Sequence, residues 1–203
     1  PLSFSLASQI KKHFYILQTG RPKESTGEMV RFVKEFVKKN KKRSEKIFND
    51  QADYRRFLFV ITHFQSPLTF TDISYSLKQF TAQIRQHSVL PKNKIVSSIE
   101  EKRTIELLAF ALMPNHFHLL LRAIEADGIA SYMQRIQNSY TKYFNTKNQT
   151  SGHLLQGPYK IVHVANNDQL LHTSAYIHRN CLGLSSWRND PGSYSWSSLQ
   201  DYI

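Results

Sequence analysis

The stretch that most constrains this chain is TIELLAFALM (104 to 113) followed, after only Pro114 and Asn115, by HFHLLLRAI (116 to 124). Two apolar runs of strand length joined by two residues of turn chemistry read as a tight antiparallel hairpin. Within its second strand stand His116 and His118, in a run that otherwise reads as buried. Side chains two apart on a strand project from the same face, so the two imidazoles point one way while Phe117, Leu119 and Leu121 point the other.

Around the hairpin the patterning alternates between helix and strand. NDQADYRRFLFVITHF (49 to 64) reads as a helix capped by Asn49 or Asp50, with Tyr54, Phe57, Leu58, Ile61 and Phe64 at helical spacing. GIASYMQRIQNSYTKYF (128 to 144) carries Ile129, Met133, Ile136, Tyr140 and Tyr143 on one stripe, with Gln134, Arg135, Asn138 and Lys142 outside it. GHLLQGPYKIVHVA (152 to 165) reads as a loop feeding a strand, and a last helix runs from an NND cap (166 to 168) to Gly183 as its stop. EMVRFVKEFVKK fits strand or helix by pattern alone. This order of elements implies an α+β sandwich, one antiparallel sheet with helices packed on it.

The chain has 27 Lys and Arg against 15 Asp and Glu, a formal charge of +12, which favours a polyanionic partner, nucleic acid before anionic membrane. The run RFVKEFVKKNKKRSEK (31 to 46) holds eight basic and two acidic residues, and is either a solvated face or a phosphate-contacting edge. No stretch approaches eighteen apolar residues, so no membrane span is expected. Cys181, the one cysteine, has no internal disulfide partner, and a cytoplasmic, nucleoid-associated setting is the simplest expectation.

Two imidazoles on one face make half of a metal site; the alternative is a pair of structural histidines. HExxH and CxxC are both absent, which leaves out the common zinc arrangements. An oxygen ligand and water completing the pair would suit Mg²⁺ or Mn²⁺ holding a phosphate. In QLLHTSAYIHRNCL (169 to 182), Leu170, Leu171, Ser174, Ala175, Ile177, Cys181 and Leu182 form the expected buried arc. Gln169, Thr173, Tyr176 and Asn180 gather on another face. Tyr176 is therefore not a core tyrosine by its position: it is either an ordinary exposed tyrosine or a phenol with a chemical role, and Asn180, one turn on, is a candidate for the third ligand through its amide oxygen. Lys41, Lys42, Arg43, Lys142 and Lys160 are candidate phosphate contacts, and Tyr159 or Tyr143 candidate stacking platforms with core packing as the alternative. Trp187 and Trp196 read as packing residues.

MPNHFHLLLR, SGHLLQGPYK, AYIHRNCLG and SYSWSSLQDYI, in this order after KIFNDQADYRRFL, resemble the single-tyrosine HUH transposases, and among them the REP-associated branch. The resemblance runs from Lys46 to Ile203. It implies a ferredoxin-like antiparallel sheet, Mg²⁺ or Mn²⁺ on His116 and His118, and Tyr176 attacking single-stranded or hairpin DNA to leave a 5′-phosphotyrosine and a 3′-hydroxyl. Asn180 falls where the family places a polar ligand after the tyrosine. The loose stretch TGRPKESTGEM (19 to 29) sets an extension, 1–28, before a domain over 29–203 read as the transposase domain, and the resemblance allows a homodimer. Cys181 and Leu182 stand where Pro and Val are common, and Pro158 where a basic residue is frequent. The rival expectation is a catalytically silent DNA-binding protein of the same fold.

Overall fold

The computed structural model describes residues 29–36, 46–68, 99, 101–155 and 159–202. The extension over 1–28 and three of the basic candidates, Lys41, Lys42 and Arg43, lie outside the described residues. Strand β1 (Met29–Phe36) is followed by helix α1 (Gln51–His63), strands β2 (Ile105–Met113) and β3 (His116–Ala123), helix α2 (Gly128–Asn148), strand β4 (Lys160–Val164) and helix α3 (Asn167–Arg179). The strands form one antiparallel sheet in the order β2-β3-β1-β4. With the helices in place this is the β-α-β-β-α-β arrangement of ferredoxin-like folds, extended by α3.

Each element forms for a local reason. Asp50 caps α1, its carboxylate accepting the amides of Ala52 and Asp53 at 2.9 and 3.1 Å. Asn166 caps α3, accepting from the Gln169 amide at 2.8 Å. The two-residue turn keeps Met113 opposite His116 and sets the register as far as Ala109 opposite Leu120, beyond which a bulge at Leu108 shifts it by one residue, so that Leu107 faces Leu121. The Pro114 carbonyl accepts from the amides of Ile47 and Phe48 at 2.8 and 3.2 Å, which fastens the turn to the chain entering α1.

The sheet is covered on both faces. On one, α1 and α2 pack over Val33, Phe110, Leu112, Phe117, Leu119 and Leu121, with Phe57, Ile61, Met133, Ile136 and Tyr140 among the contacts. The Tyr132 and Tyr140 hydroxyls donate to the carbonyls of Ile61 and Ile47 at 2.7 and 2.6 Å, so these buried phenols are satisfied. On the other face α3 lays Leu170 and Ile177 over Ala109, Ala111, Leu120 and Val164. The C-terminal segment lies along the outer edge of β2, where Leu112 donates to the Trp196 carbonyl and Phe110 to Ser198 Oγ, both at 2.9 Å. That cover shields an apolar strand edge from pairing with another chain.

Three sequence expectations change in detail. Leu171 and Ala175, placed on the buried arc of α3, are exposed, because the helix touches the sheet along the narrower stripe Leu170, Ser174, Ile177. On α2 the stripe includes Tyr132 and Phe144, while Tyr143 is only half-buried. Gly183 does not end α3 in a left-handed conformation: the helix tightens at Asn180 into a 3₁₀ turn, Asn180–Gly183, and the Leu184 amide donates to the Cys181 carbonyl at 2.9 Å. Among the described residues no helix is long and apolar enough to cross a membrane.

Candidate active site

His118 lies on the α3 face of the sheet, and its backbone neighbours explain its surroundings. In register it pairs with Ala111 on β2 and Lys34 on β1, while Phe32, two residues back on β1, pairs with Leu120. A residue diagonal to its neighbour across two strands is within reach of an aromatic ring. Phe32 takes that position: its ring stacks on the His118 imidazole at 5.4 Å between centres and 12° between planes. His116 meets His118 edge-on at 4.9 Å and 90°.

The α3 helix brings Tyr176 onto this group. Its ring meets His118 at 5.5 Å and 79° and Phe32 at 5.9 Å and 88°, edge to face in both cases. Tyr176 is 46% exposed while His118 is fully buried, so the phenol forms the solvent side of a cluster whose floor is the imidazole. The two histidines therefore differ. β3 is an interior strand of the sheet, and pairing with β1 on its far side buries His118. His116, at the start of the strand, stays half-buried, with Nδ1 2.8 Å from Asn115 Oδ1.

The imidazole spacing fits a shared cation, since two rings binding one ion through nitrogens about 2.1 Å from it have centres roughly 5 Å apart. Among the described residues no group of three or more His, Cys, Asp or Glu side chains could hold a metal, so any further ligand that these residues supply to the pair would be an oxygen of another kind. Asn180 sits where α3 gives way to the 3₁₀ turn, and its Nδ2 donates to the carbonyls of Tyr176 and Ile177 at 2.7 and 3.3 Å. The amide thus closes the helix end, with its oxygen as the group left to offer a ligand.

The basic candidates separate by face. Lys160 pairs through Lys34 with His118, which puts it in the same cross-strand row and on the same face, about 10 Å away at two strand spacings. Lys142 is exposed on α2, the helix covering the opposite face. The structure does not bring it to the histidines. Tyr143 is held in α2 by its hydroxyl bond to Asp53 at 3.0 Å and by Arg56 and Lys147 over its ring, and Tyr159 packs against the α1–α2 core. Both are framework residues here, as are Trp187 and Trp196, which pack around Met113, Cys181 and Tyr194.

Sequence reasoning missed Phe32. Its only signal was its place in a segment of ambiguous period, and its importance appears once β1 is zipped beside β3. It also missed His178, which turns inward from α3 to meet Ser198 Oγ at 2.9 Å, with burial pushing its pKa down to about 4.

The chain is thus an α+β protein whose antiparallel four-stranded sheet brings a strand-borne histidine pair against a helix-borne tyrosine. The family model described as IS200-like transposase matches residues 73–180, just over half of the chain, and the protein belongs to that family. Among solved structures the chain is similar to a REP-associated tyrosine transposase bound to a REP hairpin. The TM-score is 0.56 at 14% identity, covering 90% of this chain and 83% of that one, a likeness of fold. No curated protein matches the chain.

Proposed function

We propose that this transposase-family protein is a metal-dependent single-strand DNA endonuclease and strand transferase with Tyr176 as its nucleophile. The observation that carries the proposal is the edge contact between an exposed phenol on α3 and a buried imidazole of the pair on β3, 5.5 Å between ring centres. A tyrosine kept for core packing alone would be buried, and this one is 46% exposed. The contact supports reading Tyr176 as a nucleophile beside a place where a phosphate would be held.

His116 and His118 would hold Mg²⁺ or Mn²⁺, with the Asn180 oxygen and water completing the set. The cation would neutralise charge on the scissile phosphate and on the departing oxygen. Tyr176 Oη attacks phosphorus; the Oη–P bond forms, the P–O3′ bond breaks with its electron pair on the 3′ oxygen, and the phenol proton passes to solvent as the 3′ oxygen gains one. The product is a 5′-phosphotyrosine and a free 3′-hydroxyl. Because the ester bond is conserved, a 3′-hydroxyl can attack it in reverse and rejoin strands without ATP. Lys160, on the same face, would contact the backbone, and the +12 charge of the chain supports a polyanionic substrate. Hairpin-forming single strands are the substrate proposed, in keeping with the hairpin bound by the similar structure.

The test is incubation with labelled single-stranded hairpin DNA and Mn²⁺. A covalent protein–DNA adduct that disappears in Tyr176→Phe and falls sharply in His118→Ala is expected. Hairpin binding with no adduct under any metal would overturn the proposal in favour of a silent DNA-binding protein. Cleavage without a protein-linked product would point to water as nucleophile.

A further inference from the structure

We infer that Phe32 is a positioning residue of this site, the ring that sets both the plane of the His118 imidazole and the resting place of the Tyr176 phenol. The inference rests on the nucleophile reading above, and it concerns a residue on a strand that carries neither histidine nor tyrosine.

Three observations support it. Phe32 touches both partners at once, stacked on His118 at 12° and edge-on to Tyr176 at 88°. His118 and Tyr176 also meet each other, at 79°, so the three rings close a triangle in which moving one displaces the other two. The backbone leaves Phe32 little choice: β1 is paired on both sides, with Leu120 of β3 and Val162 of β4 opposite Phe32, so its Cβ direction is fixed by two ladders. A stacked or edge-to-face aromatic contact adds to area burial a preference for particular ring angles. An aliphatic side chain of similar volume fills the space without selecting an angle.

Function follows from the direction of these constraints. A ring stacked face to face cannot rotate about its Cβ–Cγ bond without losing the stack, so His118 nitrogens stay in one plane. Tyr176, held nearly perpendicular to both rings and anchored in mid-helix, keeps one side against the pair while the rest stays open to solvent. Misplacing a reacting group by about 1 Å can cost on the order of 100-fold in rate. Phe32 therefore acts through His118 and Tyr176 without touching the reacting atoms.

The test compares Phe32→Leu, which keeps apolar bulk and loses the ring, with Phe32→Tyr, which keeps the ring. Each is checked for a cooperative melt and for hairpin DNA affinity like that of the wild type, and Phe32→Met replaces the leucine variant if that one does not fold. Two readouts follow: the rate of adduct formation with labelled hairpin DNA and Mn²⁺, and the NMR signals of the His118 imidazole and Tyr176 ring in the metal-free, DNA-free protein. Expected are a loss of about 10- to 100-fold in adduct rate for Phe32→Leu at unchanged DNA affinity, near-complete recovery in Phe32→Tyr, and movement of both sets of signals toward unstacked positions only in the aliphatic variant. A leucine variant as fast as wild type, or a tyrosine variant as slow as leucine, would overturn the inference. If the wild type forms no adduct, the nucleophile reading fails on its own. The ring signals then decide for Phe32: unchanged signals in Phe32→Leu sink it, and displaced ones sustain it.

Discussion

Gly128→Ala, at the first residue of α2, should destabilise the protein, against the ordinary rule for helices. Replacing glycine by alanine within a helix normally gains up to about 1 kcal/mol. Here a Cβ on residue 128 would stand 2.4 Å from the Thr104 carbonyl oxygen and 2.9 Å from Ile105 Cγ2, closer than real Cβ atoms approach anything. The oxygen is not free to retreat, because it accepts the amides of Ile124 and Glu125, each at 3.0 Å, and these bonds tie the end of β3 to the start of β2. Overpacking of this kind costs about 1–3 kcal/mol, and weakening two backbone hydrogen bonds adds about 0.5–1.5 kcal/mol each. Set against the propensity gain, the net loss should be about 2–4 kcal/mol, or roughly 5–15 °C in Tm for a domain of this size. Urea and thermal unfolding followed by circular dichroism measure it, with Gly183→Ala as the control: nothing lies within 4 Å of a Cβ built there and its φ is not positive, so that variant should melt within about 2 °C of wild type. If Gly128→Ala proved as stable as its parent, the close approach of α2 to the β2 entrance described above would be wrong.

Acid should weaken the fold through His63, whose burial pushes its pKa down to about 4 from 6.5. Because the folded state then binds fewer protons than the unfolded one between those values, the stability contributed by the neutral ring is complete above about pH 6.5 and lost as pH falls through 4. The loss is on the order of 2–3 kcal/mol, and unfolding titrations should show this limb flattened in His63→Leu. Asp53→Ala should cost about 3–4 kcal/mol in urea denaturation, since its buried carboxylate accepts from the Asn49 amide, the Tyr143 hydroxyl and Lys147 Nζ. Asp50→Ala, an exposed cap, should cost only about 1 kcal/mol. In salt titrations of hairpin DNA binding, Lys160→Ala should reduce the slope of log K against log salt by about 0.7–0.9, while Lys142→Ala, on the opposite face, leaves it unchanged; equal effects would refute the assignment of the site face.

Much of this architecture is legible in the sequence because its signals are local. A two-residue turn between apolar runs fixes the β2–β3 register as far as the bulge at Leu108, an Asp in front of a periodic segment fixes the start of α1, and two-residue periodicity fixes the common direction of His116 and His118. The exposure of Tyr176 follows equally from the angle it makes with Leu170 and Ile177 on α3. Periodicity identifies a helix's apolar stripe but says nothing of which side of the sheet that stripe meets. That is why Lys142 and Lys160 look equivalent as residues and separate once α2 and α3 are assigned to opposite faces. Phe32 was hidden for a related reason: its meaning depends on β1 lying next to β3, a pairing between segments far apart in the chain that neither segment announces.

The carbonyl of Pro114 has a consequence of its own. It receives the amides of both Ile47 and Phe48, and the Ile47 carbonyl in turn receives the Tyr140 hydroxyl from α2. A mechanical chain thus runs from the middle of α2, on the far side of the sheet, through the peptide of Ile47 to the bend that launches His116. Slack introduced along that linkage would reach the imidazole's backbone, so the back of the molecule helps to fix its front.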